Sequence, residues 1–247
     1  MKHKSDNQST DFRICVVLTA FNDEEAIYDA VKDFISQDNV EKVIVIDNNC
    51  QDNTSVQAKK AGAIVIRECN QGYGFSIIRG LNEALKDKTE VIVLAEGDRT
   101  FRGRDIRKML PYLEDVDMVV GTRMHKVLVE PDSQLDWFYV WGNTLLAKVL
   151  ELKFFTFGFY SKVRFTDVGC TYRAIKTKAL RKIIDKLVVG GHHFSPHMTL
   201  VAIKSGLRVV EVPVTFGKRV GISKGAGGNR VLAFKVGLKM LWDILTK

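Results

Sequence analysis

Along the first half of the chain, short apolar runs stopped by polar or acidic clusters alternate with stretches of helical spacing. Residues 13–18, Arg-Ile-Cys-Val-Val-Leu, end before Asn22 and Asp23 and read as a buried strand. Ile27, Val31, Phe34 and Ile35 then recur at helical intervals within 24–35. A second apolar run, 43–46, stops at Asp47-Asn48-Asn49, and a helix follows from about Asp52, with Asp52, Asn53 and Thr54 as candidate caps. The pattern repeats as a strand at 63–66, a helix at 75–85 and a strand at 91–94 that ends in Glu96-Gly97-Asp98. A fifth strand at 118–120 closes on Gly121-Thr122-Arg123.

Strands alternating with helices predict an α/β fold with a mostly parallel sheet covered on both faces. Ligands of such sheets bind where the strands end at their carboxyl side. The polar clusters at 19–24, 47–54 and 96–100 all fall at those ends, so one site built from three loops is expected.

The second half is less regular. Residues 137–160 are crowded with aromatics, and Lys148, Glu151 and Lys153 exclude a membrane-spanning helix there. A strand is expected at 207–214, stopped at Pro213, and a helix at 231–245 with an apolar stripe through Val231, Phe234, Leu238, Leu241, Trp242 and Leu245. The expected organisation is a disordered polar tail over 1–12, one domain over 13–225 and an amphipathic C-terminal helix over 226–247. With Arg230, Lys235 and Lys239 beside it, that helix and the aromatic segment suit either a membrane surface or packing against the rest of the protein.

Composition narrows the setting. The 247 residues are 46% hydrophobic and 27% charged, as in an ordinary globular domain, and the net charge of +8 suits phosphate-bearing partners. Cys15, Cys50, Cys69 and Cys170 fall singly without CxxC spacing, and Cys15 and Cys170 lie in apolar runs, which points to a reducing compartment. Residues 1–11 lack a signal-peptide core. The expectation is a cytoplasmic protein that meets a membrane only peripherally, from its inner face.

Three clusters carry candidate chemistry. Glu96 and Asp98, one residue apart past a buried strand, can both face a cleft and offer hard oxygens to Mg²⁺ or Mn²⁺; a turn with capping acids is the plain alternative. Asp47 at its strand tip can accept a hydrogen bond from a base or ribose, or merely shape a turn. Gly72 and Gly74 precede a helix, where bare backbone N–H groups can approach phosphate. The spacing is not the dinucleotide GxGxxG and follows the third strand, which argues against a dehydrogenase. His192, His193 and His197 lack a fourth zinc ligand, and Pro196 is expected to interrupt a helix between them, so a loop lining an acceptor pocket is the preferred reading.

Taken in order, these motifs resemble family 2 glycosyltransferases of the GT-A fold. Thr19-Ala20-Phe21-Asn22-Asp23 resembles the family opening Pro-Ala-Tyr-Asn-Glu. Val45-Ile46-Asp47-Asn48-Asn49 with Asp52-Asn53-Thr54 resembles its Val-Asp-Asp-Gly-Ser-x-Asp-x-Thr segment, and Glu96-x-Asp98 stands where the family keeps Asp-x-Asp. Gly72, Gly74 and Gly80 match its third loop. Later pieces, Gly121-Thr122-Arg123, residues 167–174, 211–214 and 219–224, resemble the branch of dolichyl-phosphate mannose synthases and other polyprenyl-phosphate glycosyltransferases.

The resemblance implies an inverting, metal-dependent hexosyltransferase that moves a sugar from a UDP- or GDP-linked donor to a polyprenyl phosphate or a glycan hydroxyl. It implies that Thr19, Ala20, Phe21, Asp23, Asp47, Asn49, Gly72, Gly74, Glu96, Gly97 and Asp98 bind the nucleotide sugar, with Glu96 and Asp98 on Mg²⁺ or Mn²⁺. Arg219, Ser223 and Lys224 would contact phosphate. Asp98 and Asp167 are the implied catalytic residues, Asp167 either as base for a hydroxyl acceptor or as a brace for Arg173 or Lys176. The implied partners are donor and acceptor without nucleic acid; membrane-surface contact and a homo-oligomer stay open. Glu96 and Asp23 depart from the family's Asp and Glu, Thr100 stands where synthases often have Gln, and His197 where many relatives carry Glu. A nucleotidyltransferase lacks its glycine-rich first loop here. A basic phosphate- or lipid-binding module leaves the acidic strand ends unexplained, and a catalytically silent relative is the remaining alternative.

Overall fold

Alternation of buried runs with amphipathic stretches produces seven strands: β1 (Ile14–Ala20), β2 (Val40–Asp47), β3 (Ile64–Arg67), β4 (Val91–Glu96), β5 (Met118–Thr122), β6 (Arg173–Lys176) and β7 (Val209–Pro213). The helices are α1 (Ile27–Ile35), α2 (Thr54–Lys60), α3 (Tyr73–Ala84), α4 (Ile106–Met109), α5 (Trp137–Lys153), α6 (Thr177–Leu180), α7 (Phe194–Lys204) and α8 (Arg230–Thr246). This computed structural model describes residues 12–155, 164–221 and 229–247.

The strands form one sheet in the order β3-β2-β1-β4-β6-β5-β7, parallel except for β6. Every residue of β1 is buried, and so is β4 up to Glu96, which is why both read as unbroken apolar runs. Ile27, Val31 and Phe34 of α1, and Ile77 and Leu81 of α3, close over the sheet as one core with its strands.

Register sets the site. Thr19 pairs with Glu96 across β1 and β4, and Ala20 with Asp47 across β1 and β2, so three acidic strand ends lie level. The antiparallel β6 was not expected. It starts where its neighbours end, with Arg173 opposite Leu94 and Val120, and therefore carries residues 164–172 to the same rim. β7 pairs Pro213 with Thr122 and delivers Arg219 there.

One expectation for the second half is corrected. Pro196 does not interrupt a helix: it sits in the first turn of α7, where a missing N–H costs no hydrogen bond. Of the apolar stripe of α8, Leu241 packs against a small core, while Val231, Phe234, Leu238, Trp242 and Leu245 are exposed and the neighbouring Asp243 and Ile244 are buried. α8 docks on α5 and α7 through a small second core containing Leu146, Leu150, Leu200 and Ile244, and through a 2.8 Å contact between His197 Nδ1 and Asp243.

Candidate active site

A cavity of about 630 Å³ opens at the carboxyl rim of the sheet. At one end Thr19, Ala20, Phe21, Asp23, Glu96 and Asp98 line it; at the other Arg123, Tyr139, Asn143, Phe216 and Met240.

The first loop is held by the second. Thr54, fully buried at the start of α2, accepts the Asp23 N–H at 2.8 Å and donates to Asp52. The Asn22 side chain accepts the Gln51 N–H, and the Glu24 carboxylate that of Asn53. These bonds hold Phe21 and Asp23 at the cavity wall. Asp47 itself does not reach the cavity: its oxygens accept from the Cys50 N–H at 2.7 Å and the Ser55 hydroxyl at 2.5 Å. Asn49, in a left-handed conformation, donates to the Cys69 carbonyl and lies off the lining as well. Asn48 takes the place at the wall, and its side-chain oxygen accepts the Gly72 N–H.

The glycines of the third loop do a different task from the one expected. The Gly74 N–H donates to the Gly190 carbonyl at 2.9 Å, so it is not offered to phosphate. A Cβ on Gly74 would lie 2.0 Å from the Val189 oxygen, and one on Gly72, at φ +151°, 2.4 Å from the Gly190 oxygen. Glycine is required here by the close passage of residues 189–190, which brings His192 to the cavity beside Tyr73.

At the acidic end Arg219 bridges the two carboxylates. Its Nη1 donates to Asp98 at 2.7 Å and its Nη2 to Asp23 at 2.9 Å, with all three side chains largely buried. The other Asp98 oxygen accepts from the Thr100 N–H and hydroxyl. Burial, and then the charge of Asp98, push the Glu96 carboxyl above the usual carboxylate range against the pull of Arg219. Burial opposes the charge on Arg219, but Asp98, Asp23 and Glu96 outweigh it and keep the guanidinium firmly protonated.

No group of three His, Cys, Asp or Glu side chains among the described residues is placed to hold a metal ion by itself. Glu96 and Asp98 are hard oxygen donors, and two of them fit a cation that completes its shell with diphosphate oxygens and water, as Mg²⁺ and Mn²⁺ do. Arg219 Nε is buried without a hydrogen-bond partner among the described residues, a donor suited to an anionic ligand at this position. Ser223 and Lys224 lie outside the described residues.

Asp167 neither faces the cavity nor braces Arg173 or Lys176. Fully buried, it accepts Arg123 Nε at 2.7 Å and Nη2 at 2.9 Å, together with the Arg123 and Gly169 N–H groups. Glu211, which burial holds above the usual carboxylate range, accepts the N–H groups of Thr166 and Asp167 and fixes this loop to β7. Arg123 is thus locked with its guanidinium at the cavity, 5.2 Å from the Phe216 ring. Arg173 instead donates to the Cys170 and Val168 carbonyls and the Thr199 hydroxyl. His197 is buried between Asp243 and the Lys186 carbonyl, so of the expected acceptor-pocket histidines His192 lines the cavity and His197 does not. The visible signal for Arg123 was a lone arginine immediately after a buried strand; Tyr139, Asn143 and Met240 carried none.

The sequence model of glycosyl transferase family 2 matches residues 15–184, which span β1 to β6 and both ends of this cavity. The chain belongs to that family. The glycosyltransferase is 24% identical over 232 residues to the undecaprenyl-phosphate mannosyltransferase of Micrococcus luteus, covering 87% of this chain and 88% of that one. It is 27% identical over 206 residues to the polyprenol monophosphomannose synthase of Mycolicibacterium smegmatis, covering 78% and 74%. Its GT-A fold matches glucosyl-3-phosphoglycerate synthase from Mycobacterium tuberculosis, solved with Mn²⁺, uridine diphosphate and glucosyl-3-phosphoglycerate, at a TM-score of 0.68 and 15% identity over 95% of this chain and 79% of that one.

Proposed function

We propose that this glycosyltransferase moves a hexose from a nucleoside-diphosphate sugar to a polyprenyl phosphate. The observation that carries the reading is the guanidinium of Arg123, immobilised by Asp167 in the same cavity as Asp23, Glu96 and Asp98. A fixed cation away from the donor carboxylates suits an acceptor that is itself an anion. Two relatives with matching sequence are named undecaprenyl-phosphate mannosyltransferase and polyprenol monophosphomannose synthase, which supports the same chemistry.

In this mechanism Phe21 and Asp23 would hold the nucleoside, and Glu96 and Asp98 would hold Mg²⁺ or Mn²⁺. The metal, when bound, supplies charge neutralisation for the departing diphosphate. Arg219 leaves the carboxylates it bridges and donates to the diphosphate, adding a cation where negative charge grows. Arg123 holds the acceptor phosphate in line behind the anomeric carbon, and its oxygen displaces the nucleoside diphosphate with inversion. A phosphate oxygen already carries the attacking charge, so no side chain has to remove a proton. That agrees with Asp167, whose two oxygens are occupied by Arg123.

The test is incubation with Mn²⁺, UDP- or GDP-linked hexoses and a short polyprenyl phosphate. Acceptor-dependent release of nucleoside diphosphate with formation of a lipid-linked hexose is expected, and its loss in Asp98→Ala. Transfer to a glycan hydroxyl but not to the lipid phosphate would refute the acceptor assignment.

A further inference from the structure

Among the described residues, ten of the eighteen large hydrophobic side chains that stand exposed belong to α5 and α8, although these segments are a small part of the chain. All three tryptophans are among them: Trp137, Trp141 and Trp242 are 66%, 71% and 70% exposed. On α5, Trp137, Trp141, Leu145 and Leu152 recur at four- and seven-residue spacing and stand on one face. On α8, Val231, Phe234, Leu238, Trp242 and Leu245 do the same. The opposite sides of the two helices pack together over the second core. Each of two packed helices thus leaves an exposed apolar stripe of a kind that soluble monomers rarely leave open.

Charge around this surface has one sign available. Asp136 caps α5 and pairs with Arg230, Glu151 pairs with Lys148, and Asp243 is buried on His197 and Lys247. Lys235 and Lys239 stand exposed beside the α8 stripe and make no ion pair among the described residues. Tryptophan rings with a lysine border match the boundary of a bilayer carrying anionic headgroups, where rings sit at the headgroup level and ammonium groups meet phosphate. A second copy of this face would instead bring cationic borders together. The same helices carry Tyr139, Asn143 and Met240 into the cavity lining, so the surface borders the acceptor end of the active site.

We infer that the α5–α8 face docks on an anionic lipid bilayer, laying the tryptophans in the headgroup layer with the acceptor end of the cavity beside the membrane. The inference rests on these two helices and stands apart from the choice of acceptor. No described helix is long and apolar enough to cross a membrane, and docking of this kind needs none.

Flotation of the full chain with phosphatidylcholine vesicles, with and without phosphatidylglycerol, tests it. The protein is expected to float with the anionic vesicles, to be released in part by salt, and to show a blue-shifted tryptophan emission when bound. Trp141→Glu with Trp242→Glu should cut partitioning on the order of a hundredfold, since each loses a buried ring and places a charge in the interface. Lys235→Gln with Lys239→Gln should cut it by about fivefold per lysine on the anionic vesicles alone. These positions lie outside the donor site, so metal-dependent nucleotide binding should be unchanged in both pairs, which reads the donor site separately from docking. Equal flotation of wild type and the tryptophan pair would overturn the inference. So would a wild-type dimer that ignores vesicles and becomes monomeric when the tryptophans are replaced.

Discussion

Arg219→Met removes the guanidinium between Asp23 and Asp98 and leaves two carboxylates, 6% and 2% exposed, without their cation. Breaking a buried pair from one side costs about 3–5 kcal/mol, because the stranded charges have lost water as well as partner. Both ion-pair contacts are under 3 Å and Arg219 is itself only 15% exposed, so the upper part of that range applies to the ligand-free protein. For a chain of this size each kcal/mol moves the melting temperature by about 2–4 °C, so about 4–5 kcal/mol predicts a fall of about 8–20 °C. The decisive comparison adds Mn²⁺ without nucleotide. In the wild type a metal on Asp98 must displace Arg219; in the variant it meets bare carboxylates, so Mn²⁺ should restore much of the lost melting temperature and bind more tightly, as followed by the free-ion electron paramagnetic resonance signal. Nucleoside diphosphate affinity should move the opposite way and weaken, since Arg219 is lost to the phosphates. A variant that melts like the wild type, or gains no more from Mn²⁺, would refute the idea that Arg219 and a cation compete for one site.

Asp167→Asn should raise the KM for the lipid phosphate by ten- to a hundredfold while donor hydrolysis persists, because it frees Arg123 without touching the donor end; an unchanged KM with lost kcat and an altered pH profile would point to a base instead. Gly74→Ala should cost about 1–3 kcal/mol in denaturant unfolding, the added methyl falling on the Val189 carbonyl, a backbone atom that has no side-chain freedom to yield. Burial raises the Asp243 carboxyl, but hydrogen bonds from Lys247 and His197 outweigh it and hold it below the usual carboxylate range. A lowered carboxyl contributes stability that is present above its unfolded pKa near 4 and lost as pH falls through the lower folded value. Detachment of α8, read from tryptophan emission, is therefore expected to begin below about pH 4 and to move toward neutrality in His197→Ala.

The parallel part of the sheet was legible because each buried strand is an apolar run with an acidic stop, and the stops marked the site. β6 was not legible: Arg-Ala-Ile-Lys has a charge at both ends, and its place in the sheet comes from pairing with β4 and β5 far away in sequence. Asp47 and the glycines at 72 and 74 were seen as important from their neighbours, yet what they touch depends on residues 50, 55 and 189–190, which no local pattern announces. Asp167 was recognised as chemically significant and assigned the wrong companions, since Arg123 lies 44 positions earlier.

These long-range pairs change how the site must work. Without ligands the main charges are already matched in the described structure: Arg219 lies on Asp23 and Asp98, and Asp167 on Arg123. A ligand that enters therefore exchanges ion pairs and does not simply add to bare charges, so its net gain is the difference between the new contacts and the ones released. Diphosphate alone would take Arg219 and strand Asp23 and Asp98; a cation alone would take Asp98 and leave Arg219 on Asp23 only. Only metal and diphosphate together satisfy both sides. If the site takes metal and diphosphate as proposed, the two are expected to bind cooperatively, with the coupling set by the bridge that Arg219 forms when neither is present.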